Sequence, residues 1–398
     1  MRALKILHLG KFYPPVRGGM ETILQTLCRG VPHTVQTRAL VMNPSNETRH
    51  DVVDSVPVTR VRSPLTLGAV AVAPTLPLWL ARAEADLVVL HEPNPMALVA
   101  YFVARPKVPL IIWYHSEVVR SAWRYRLFYR PLLEFALRRV ARVVVASPPM
   151  KDAPALVEYR TKCVVIPYGL DSDRYQPTAT VTARADALRE HARGPILLFV
   201  GRLVPYKGLE VFLRALPGLE AQTVIVGDGP LRGALETMVR KLGIGDRVHL
   251  AGEVSDQERL AWLHACAALV LPSTTRQEAF GIVQLEAMLC GRPVVSTDLP
   301  TGVPWVNVHG RTGLVVRAGD PASLRGALDH LLDDGGLSQA LGAAARARAL
   351  ETFTADRMCA AVLALYQDLC GPPSARPDGN ADGNADKMPG CARSRSPR

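Results

Sequence analysis

Short, almost wholly apolar runs recur along the chain, each followed by a turn and then by a stretch long enough for a helix. In the first part they are Leu4–Leu9, Asp86–Leu90, Leu110–Tyr114, Arg142–Ala146 and Cys163–Pro167. In the second they are Pro195–Val200, Val224–Val226, Val248–Gly252, Ala268–Pro272, Val294–Thr297 and Leu314–Arg317. Apolar residues at successive positions, not alternate ones, describe strands buried on both faces, as in parallel sheets covered by helices. The two series predict two doubly wound α/β sheets. A chain of 398 residues is also too long for one ordinary core and suits two domains. Ligands of such sheets gather at the carboxyl ends of the strands, so the loops that leave those ends hold the candidate site.

The most informative loop runs from Ser273 to Pro293, after the strand Ala268–Pro272. Ile282, Leu285, Glu286 and Leu289 recur at helical spacing, and Gly291 with Pro293 marks the stop. Glu278 therefore lies in the loop, and Glu286, eight positions on, one turn or so inside the helix. Both can face one crevice, with Phe280-Gly281 letting backbone N–H groups approach a ligand between them. A second loop, Gly201-Arg202-Leu-Val-Pro-Tyr-Lys207-Gly208, follows the strand Pro195–Val200. Its two cations, five apart and ahead of a helix start, suit a diphosphate: arginine offers a planar fork, lysine a mobile point charge.

Two loops of the first half complete the pattern. Gly18-Gly19 precedes a helix that starts at Met20, where bare N–H groups can meet a phosphate or a sugar hydroxyl. No Gly-x-Gly-x-x-Gly is present there, which excludes the dinucleotide fingerprint. His115 follows the strand Leu110–Tyr114 and falls at its carboxyl end. Asp171-Ser-Asp173 has the spacing of a divalent-ion motif, but it follows Pro-Tyr-Gly at the exit from the first domain and reads as a turn.

The string Glu-x7-Glu with its embedded Phe-Gly, followed by Gly-x-Pro-Val-Val, resembles the signature of the retaining glycosyltransferases of family 4. Gly18-Gly19 and Gly-Arg-x4-Lys-Gly match further motifs of that family, and the resemblance covers about residues 5 to 370. It implies the GT-B fold: two Rossmann-like domains facing across a cleft. The expected divisions are an acceptor-side domain 1–175, a linker 176–194 and a nucleotide-sugar domain 195–350. A helix 351–370 is expected to cross back to the first domain, and 371–398, with its Asp-Gly-Asn-Ala repeat, to be a disordered tail.

The resemblance also implies roles. Arg202 and Lys207 would stabilise the departing diphosphate, so no metal or other cofactor is expected. Glu286 would accept from the ribose hydroxyls. Glu278 would hold the hydroxyls of the donor sugar, with the N–H groups around Phe280, Gly281, Ile282 and Val283. His115 and the Gly18-Gly19 loop would approach donor and acceptor from the first domain. The wording around Glu278 and Thr301 resembles bacterial mannosyltransferases of exopolysaccharide and O-antigen assembly, making GDP-mannose the first expectation and a UDP-hexose the second. A GT-B sugar-nucleotide epimerase would share the fold and the clamp.

A net charge of +11 fits acidic partners such as nucleotide diphosphates, anionic lipid or nucleic acid. No nucleic-acid module is recognisable, which argues against specific binding of that kind. Between Val118 and Ala141, six arginines at 120, 124, 126, 130, 138 and 139, with Arg142 just beyond, are interleaved with Trp123, Tyr125, Phe128 and Tyr129. This pattern suits either adsorption to an anionic bilayer or a solvated face over buried aromatics. Ser63–Ala81 carries no charge, but Pro74 and Pro77 interrupt it, so a strand and helix of the first domain are expected in place of a spanning helix. Seven cysteines without a CxxC pair and a polar start fit a cytoplasmic chain. The acceptor would be a glycan or a polyprenyl-diphosphate-linked sugar, met at the inner face of the membrane.

Overall fold

The fold is given by a computed structural model, which describes residues 3–16, 18–32, 34–67, 70–117 and 125–371. Ten strands lie in the first half: β1 Leu4–Leu9, β2 Val35–Asn43, β3 Arg49–Val53, β4 Val56–Arg62, β5 Leu65–Leu67, β6 Val70–Val72, β7 Leu87–Glu92, β8 Leu110–Tyr114, β9 Arg142–Val145 and β10 Cys163–Val165. Eight of them form one sheet in the order β10-β9-β8-β7-β1-β2-β4-β3. All neighbours run parallel except β3, which folds back on β4. The second half holds β11 Ile196–Val200, β12 Gln222–Val226, β13 Val248–Gly252, β14 Ala268–Leu271, β15 Val294–Thr297 and β16 Gly313–Val316. They form an all-parallel sheet in the order β13-β12-β11-β14-β15-β16. These are the two doubly wound sheets the apolar runs predict.

The strands without a forecast are β2, β3 and β4. β2 opens with alternate buried and exposed residues, so Gln36 and Arg38 hide its core face from a search for continuous apolar runs. The β3–β4 hairpin turns on Asp54 and Ser55, both at positive φ (51° and 66°) without a glycine to signal it. Ser63–Ala81 forms the small β5–β6 hairpin and the helix Leu76–Arg82, whose Leu76 and Leu80 are buried. No helix among the described residues is long and apolar enough to cross a membrane.

Residues 176–194, expected as linker with a surface helix, form a helix Ala179–His191 that docks on the second half. Val181, Ala185 and Leu188 are buried, and Arg184 grips Glu258 of the helix Asp256–Ala265 with a two-pronged ion pair. The helix Arg130–Arg139 continues without a break from a wide, π-type turn over Tyr125–Tyr129, and Pro131 sits in its first turn, where a missing N–H is tolerated. Arg120, Trp123 and Arg124 lie outside the described residues, as does the tail from 372 on.

Two helices close the chain, Gly335–Thr352 and Ala355–Cys370. At their junction Phe353 is fully buried, and Leu170 exchanges backbone hydrogen bonds with Phe353 and Ala355 at 2.9 Å each. A Cβ on Gly169 would stand 2.0 Å from the Thr354 carbonyl oxygen, so only glycine admits this crossing. The last helix then lies on the first half: Cys359 Sγ approaches the Thr26 carbonyl, and Asp368 faces Arg142 at 3.8 Å.

Candidate active site

The loops that leave β11 and β14 are pinned together by backbone. The Thr274 N–H donates to the Tyr206 carbonyl at 2.8 Å. Gly208, at φ 68°, passes so close to Pro272 that a Cβ would lie 1.9 Å from its carbonyl oxygen. This close approach carries Lys207 to Glu278: the ammonium donates to Oε2 at 2.6 Å, and Ser273 Oγ donates to the same oxygen at 3.0 Å. Both side chains are nearly buried, at 12% and 9% exposure. Burial pulls the Lys207 ammonium down, but Glu278 and Tyr206 outweigh it, so the group is held above its ordinary value and stays charged. The residues expected to hold phosphate and sugar thus neutralise each other.

After Glu278, Phe280 turns inward against Tyr168 of the first half, edge to face at 4.8 Å between ring centres. Gly281 takes φ 71° and starts the helix Ile282–Leu289. A helix start leaves its first N–H groups without intrahelical acceptors, so Ile282 and Val283 offer donors beside Glu278. One turn further, Glu286 accepts a hydrogen bond from Arg259, and the hydroxyl of the half-buried Tyr175 lies next to the same carboxylate.

Arg202 is exposed. It approaches Lys11 of the first half closely enough to disfavour that lysine's charge, after the larger effect of burial; Glu21 opposes both. Glu21 also revises the expectation for Gly18-Gly19. Its carboxylate folds back over the start of the helix Gly19–Gly30, where a Cβ on Gly18 would meet Oε2 at 2.1 Å. The chain's own carboxylate therefore stands beside the turn at which a bound anion is expected. Gly19 serves instead as a point of approach, since its Cβ would lie 3.1 Å from Ile282 of the other half.

His115 sits at the carboxyl end of β8 as expected, but it is buried and both its nitrogens are engaged. Nε2 meets His91 Nδ1 at 2.9 Å and Nδ1 meets the Tyr168 hydroxyl at 2.6 Å. His91 Nε2 continues to His8 Nδ1 at 3.0 Å, and His8 Nε2 to Tyr366 at 3.4 Å. The chain of rings runs from the last helix to the cleft wall. Burial lowers His8 and His115 to about 3 and His91 well below its ordinary value, so all three are neutral. Two residues on, Glu117 crosses to Arg276 of the signature loop at 3.3 Å. Asp171 caps its own turn by accepting from the Asp173 N–H at 3.2 Å, as the turn reading requires.

The arrangement therefore joins Lys207, Glu278, the Phe280–Val283 backbone and Glu286 in the second half, and sets His115 and the Gly18-Gly19 loop across from them. Sequence reasoning did not find Arg259, Tyr175, Lys11 or the Glu117–Arg276 pair. Each is a single charged or polar residue in an unremarkable context, and only the fold brings it to a motif residue.

Residues 17–174 match the family described as Glycosyltransferase Family 4, and residues 183–348 match Glycosyl transferases group 1. The chain is 30% identical over 376 residues to the O-antigen chain mannosyltransferase C of Escherichia coli, covering 92% of this chain and 99% of that one. The chain belongs to the family 4 glycosyltransferases. This transferase is also 40% identical over 274 residues to the D-rhamnosyltransferase WbpZ of Pseudomonas aeruginosa, across 69% of its length and 71% of that protein's. Its fold is GT-B. The structure superposes on Anabaena Alr3699/HepE, solved in complex with UDP, with a TM-score of 0.73 and 22% identity over 92% of this chain and 100% of that one. The sucrose-phosphate synthase of Thermosynechococcus elongatus gives 0.78 at 21% identity over 92% and 99%.

Proposed function

We propose that this glycosyltransferase moves a hexose, with retention of anomeric configuration, from a nucleoside diphosphate sugar to a glycan or polyprenyl-diphosphate-linked acceptor of bacterial surface polysaccharide. The observation that supports the reading is the Lys207–Glu278 contact at 2.6 Å, between the residue read as a phosphate ligand and the residue read as a sugar ligand. On donor binding, Lys207 would turn to the diphosphate, joined by Arg202. Both stabilise charge that grows as the anomeric C–O bond breaks. Glu278 would then be free to accept from the sugar hydroxyls. The acceptor hydroxyl attacks on the face the diphosphate leaves, and its proton passes to the departing phosphate oxygen. Two cations and the helix start supply the charge that a metal would otherwise provide, so no metal is required.

GDP-mannose is the proposed donor, supported by the mannosyltransferase named among the relatives of full-length coverage. The name of the D-rhamnosyltransferase keeps a 6-deoxyhexose in view as the second choice; a UDP-hexose is the third. Peripheral contact with the inner face of the cytoplasmic membrane fits the first half, where Leu127 and Phe128 stand exposed beside Arg130. Arg139 there stacks over Phe135 at 3.8 Å, next to exposed Phe102 and Val103.

The test is a thermal-shift series in EDTA with GDP, UDP, ADP and their sugar conjugates. Ligand at about 100 times its dissociation constant adds roughly 2.7 kcal/mol of stability. Stabilisation by GDP and GDP-mannose with EDTA present is expected. A response to UDP alone would replace the donor, dependence on added metal would overturn the metal-free clamp, and donor conversion without acceptor would indicate an epimerase.

A further inference from the structure

Glu286 is anchored from outside its own helix, and the anchor reaches back to the joint between the two halves. Its side chain is only 12% exposed, so its charge needs a partner. Arg259, on the helix Asp256–Ala265, supplies one by donating from Nη1 to Oε2. Asp256 on the same helix stands 3.6 Å from Nη2 and steadies the guanidinium. The third member is Tyr175, the last residue of the turn Ser172–Tyr175 that leaves the first half. Its hydroxyl is kept protonated by burial and by the adjacent carboxylate. Its carbonyl accepts from His264 Nε2 at 3.0 Å, and His264 rides on the same helix as Arg259. Cys290, the other titratable group facing this cluster, is a buried thiol pushed above its ordinary range and contributes no charge.

A carboxylate held at Oε2 by a guanidinium, with a phenol beside it, is restricted in where its other oxygen can point. We propose that Arg259 and Tyr175 are positioning residues that set Glu286 to receive both ribose hydroxyls of the donor nucleotide. Ribose selectivity then depends on the turn joining the two halves, not on the signature helix alone. The proposal rests on the reading of Glu286 as the ribose ligand.

The test is calorimetric titration of wild type, Glu286→Gln, Arg259→Met, Arg259→Lys and Tyr175→Phe with GDP and UDP and with the 2′-deoxy and 3′-deoxy form of each. Loss of a hydrogen bond to a charged group weakens binding by roughly tenfold or more, so wild type should prefer the ribonucleotide by at least that factor. Glu286→Gln should bring the ratio near one. Arg259→Met and Tyr175→Phe should lower the ratio several-fold by weakening ribonucleotide binding alone, leaving the deoxynucleotide dissociation constants unchanged. Arg259→Lys should recover part of it. A purely structural role would weaken every nucleotide equally, and that result would overturn the proposal. So would an unchanged ratio in Arg259→Met and Tyr175→Phe when Glu286→Gln has lost it. An unchanged ratio in Glu286→Gln, or no nucleotide binding by wild type, would instead overturn the ribose reading beneath it. Where Arg259→Met does not fold because Glu286 is left uncompensated, the near-isosteric Tyr175→Phe and the cationic Arg259→Lys carry the same comparison.

Discussion

The side chains of the cleft floor do two jobs at once, and mutation separates them. Lys207 and Glu278 compensate each other, so removing one leaves a nearly buried charge alone. Lys207→Met is expected to lower stability by about 3 kcal/mol, the lower end of what breaking a buried pair costs, and kcat/KM by roughly a hundredfold or more. Glu278→Gln keeps the shape without the charge, so Lys207→Met with Glu278→Gln should recover much of the stability and none of the activity; melting and turnover, measured together, check this. The three buried histidines give a second residue-scale prediction. Their ordinary pKa is 6.5 and their folded values lie well below it, so the unfolded chain binds protons that the folded chain refuses. Their stabilising effect is complete above pH 6.5 and is lost as pH falls towards 3, by about 1.4 kcal/mol per pH unit for each ring. Glu92 acts in the opposite sense. Burial raises it to about 7, against its bonds to Tyr129 and Asn94, so acidification relieves a cost there; Glu21 and Glu117 are raised in the same direction. The melting temperature should fall between pH 7 and pH 5, and Glu92→Gln should steepen the fall. A flat profile in both proteins would contradict neutral burial of the rings.

At the scale of elements, loop geometry decides where the motif residues meet. Three glycines at positive φ separate strain from crowding. Alanine at Gly310 (φ 69°) finds open space around its Cβ, so only the left-handed backbone is penalised, by roughly 1–2 kcal/mol. Alanine at Gly281 adds a contact at 2.6 Å with Leu271, whose side chain can shift. Alanine at Gly208 adds one at 1.9 Å with the Pro272 carbonyl, which is backbone and cannot. Melting temperatures should therefore drop in the order Gly208, Gly281, Gly310, with Gly208→Ala also losing turnover because it parts Lys207 from Glu278. An equal drop at all three positions would refute the crowding argument. These elements were unevenly legible. Wholly apolar strands such as β8 and β14 announce themselves because both faces are buried. β2 and the β3–β4 hairpin lie at the sheet's end, where exposed positions break the run and Asp54-Ser55 turns without a glycine. Helix Ala179–His191 reads as a surface helix because its buried face is mostly alanine and valine, and what covers that face is distant in sequence.

At the scale of the whole molecule, the two halves are joined by packing and by charge. Gly302 lets Ala279 and Ser147 come together, with a Cβ there falling 2.6 Å from Ser147 Oγ. Phe280 lies edge-on to Tyr168 on one side and to Phe353 on the other. Arg276 and Glu117 add an ion pair across the cleft, partly exposed at 35% and 18%. Exposed pairs are worth little, up to about 1 kcal/mol, so Glu117→Ala and Arg276→Ala should each lower kcat/KM only a few-fold. The exchanged pair, Glu117→Arg with Arg276→Glu, should restore most of it, and a steady-state double-mutant cycle showing no coupling would remove the pair from the account. By itself the sequence determined two parallel sheets, the family, and which loops carry Arg202, Lys207, Glu278 and Glu286. Burial on both faces and glycine-bounded loops leave local marks that a linear reading can detect. Only the tertiary structure decided that Lys207 and Glu278 neutralise each other and that His115 is tied at both nitrogens. It alone brought Arg259 and Tyr175 to Glu286. Those contacts join residues far apart in the chain, 71 positions for Lys207 and Glu278 and 27 for Arg259 and Glu286, and their energies depend on burial and distance, which no local pattern encodes.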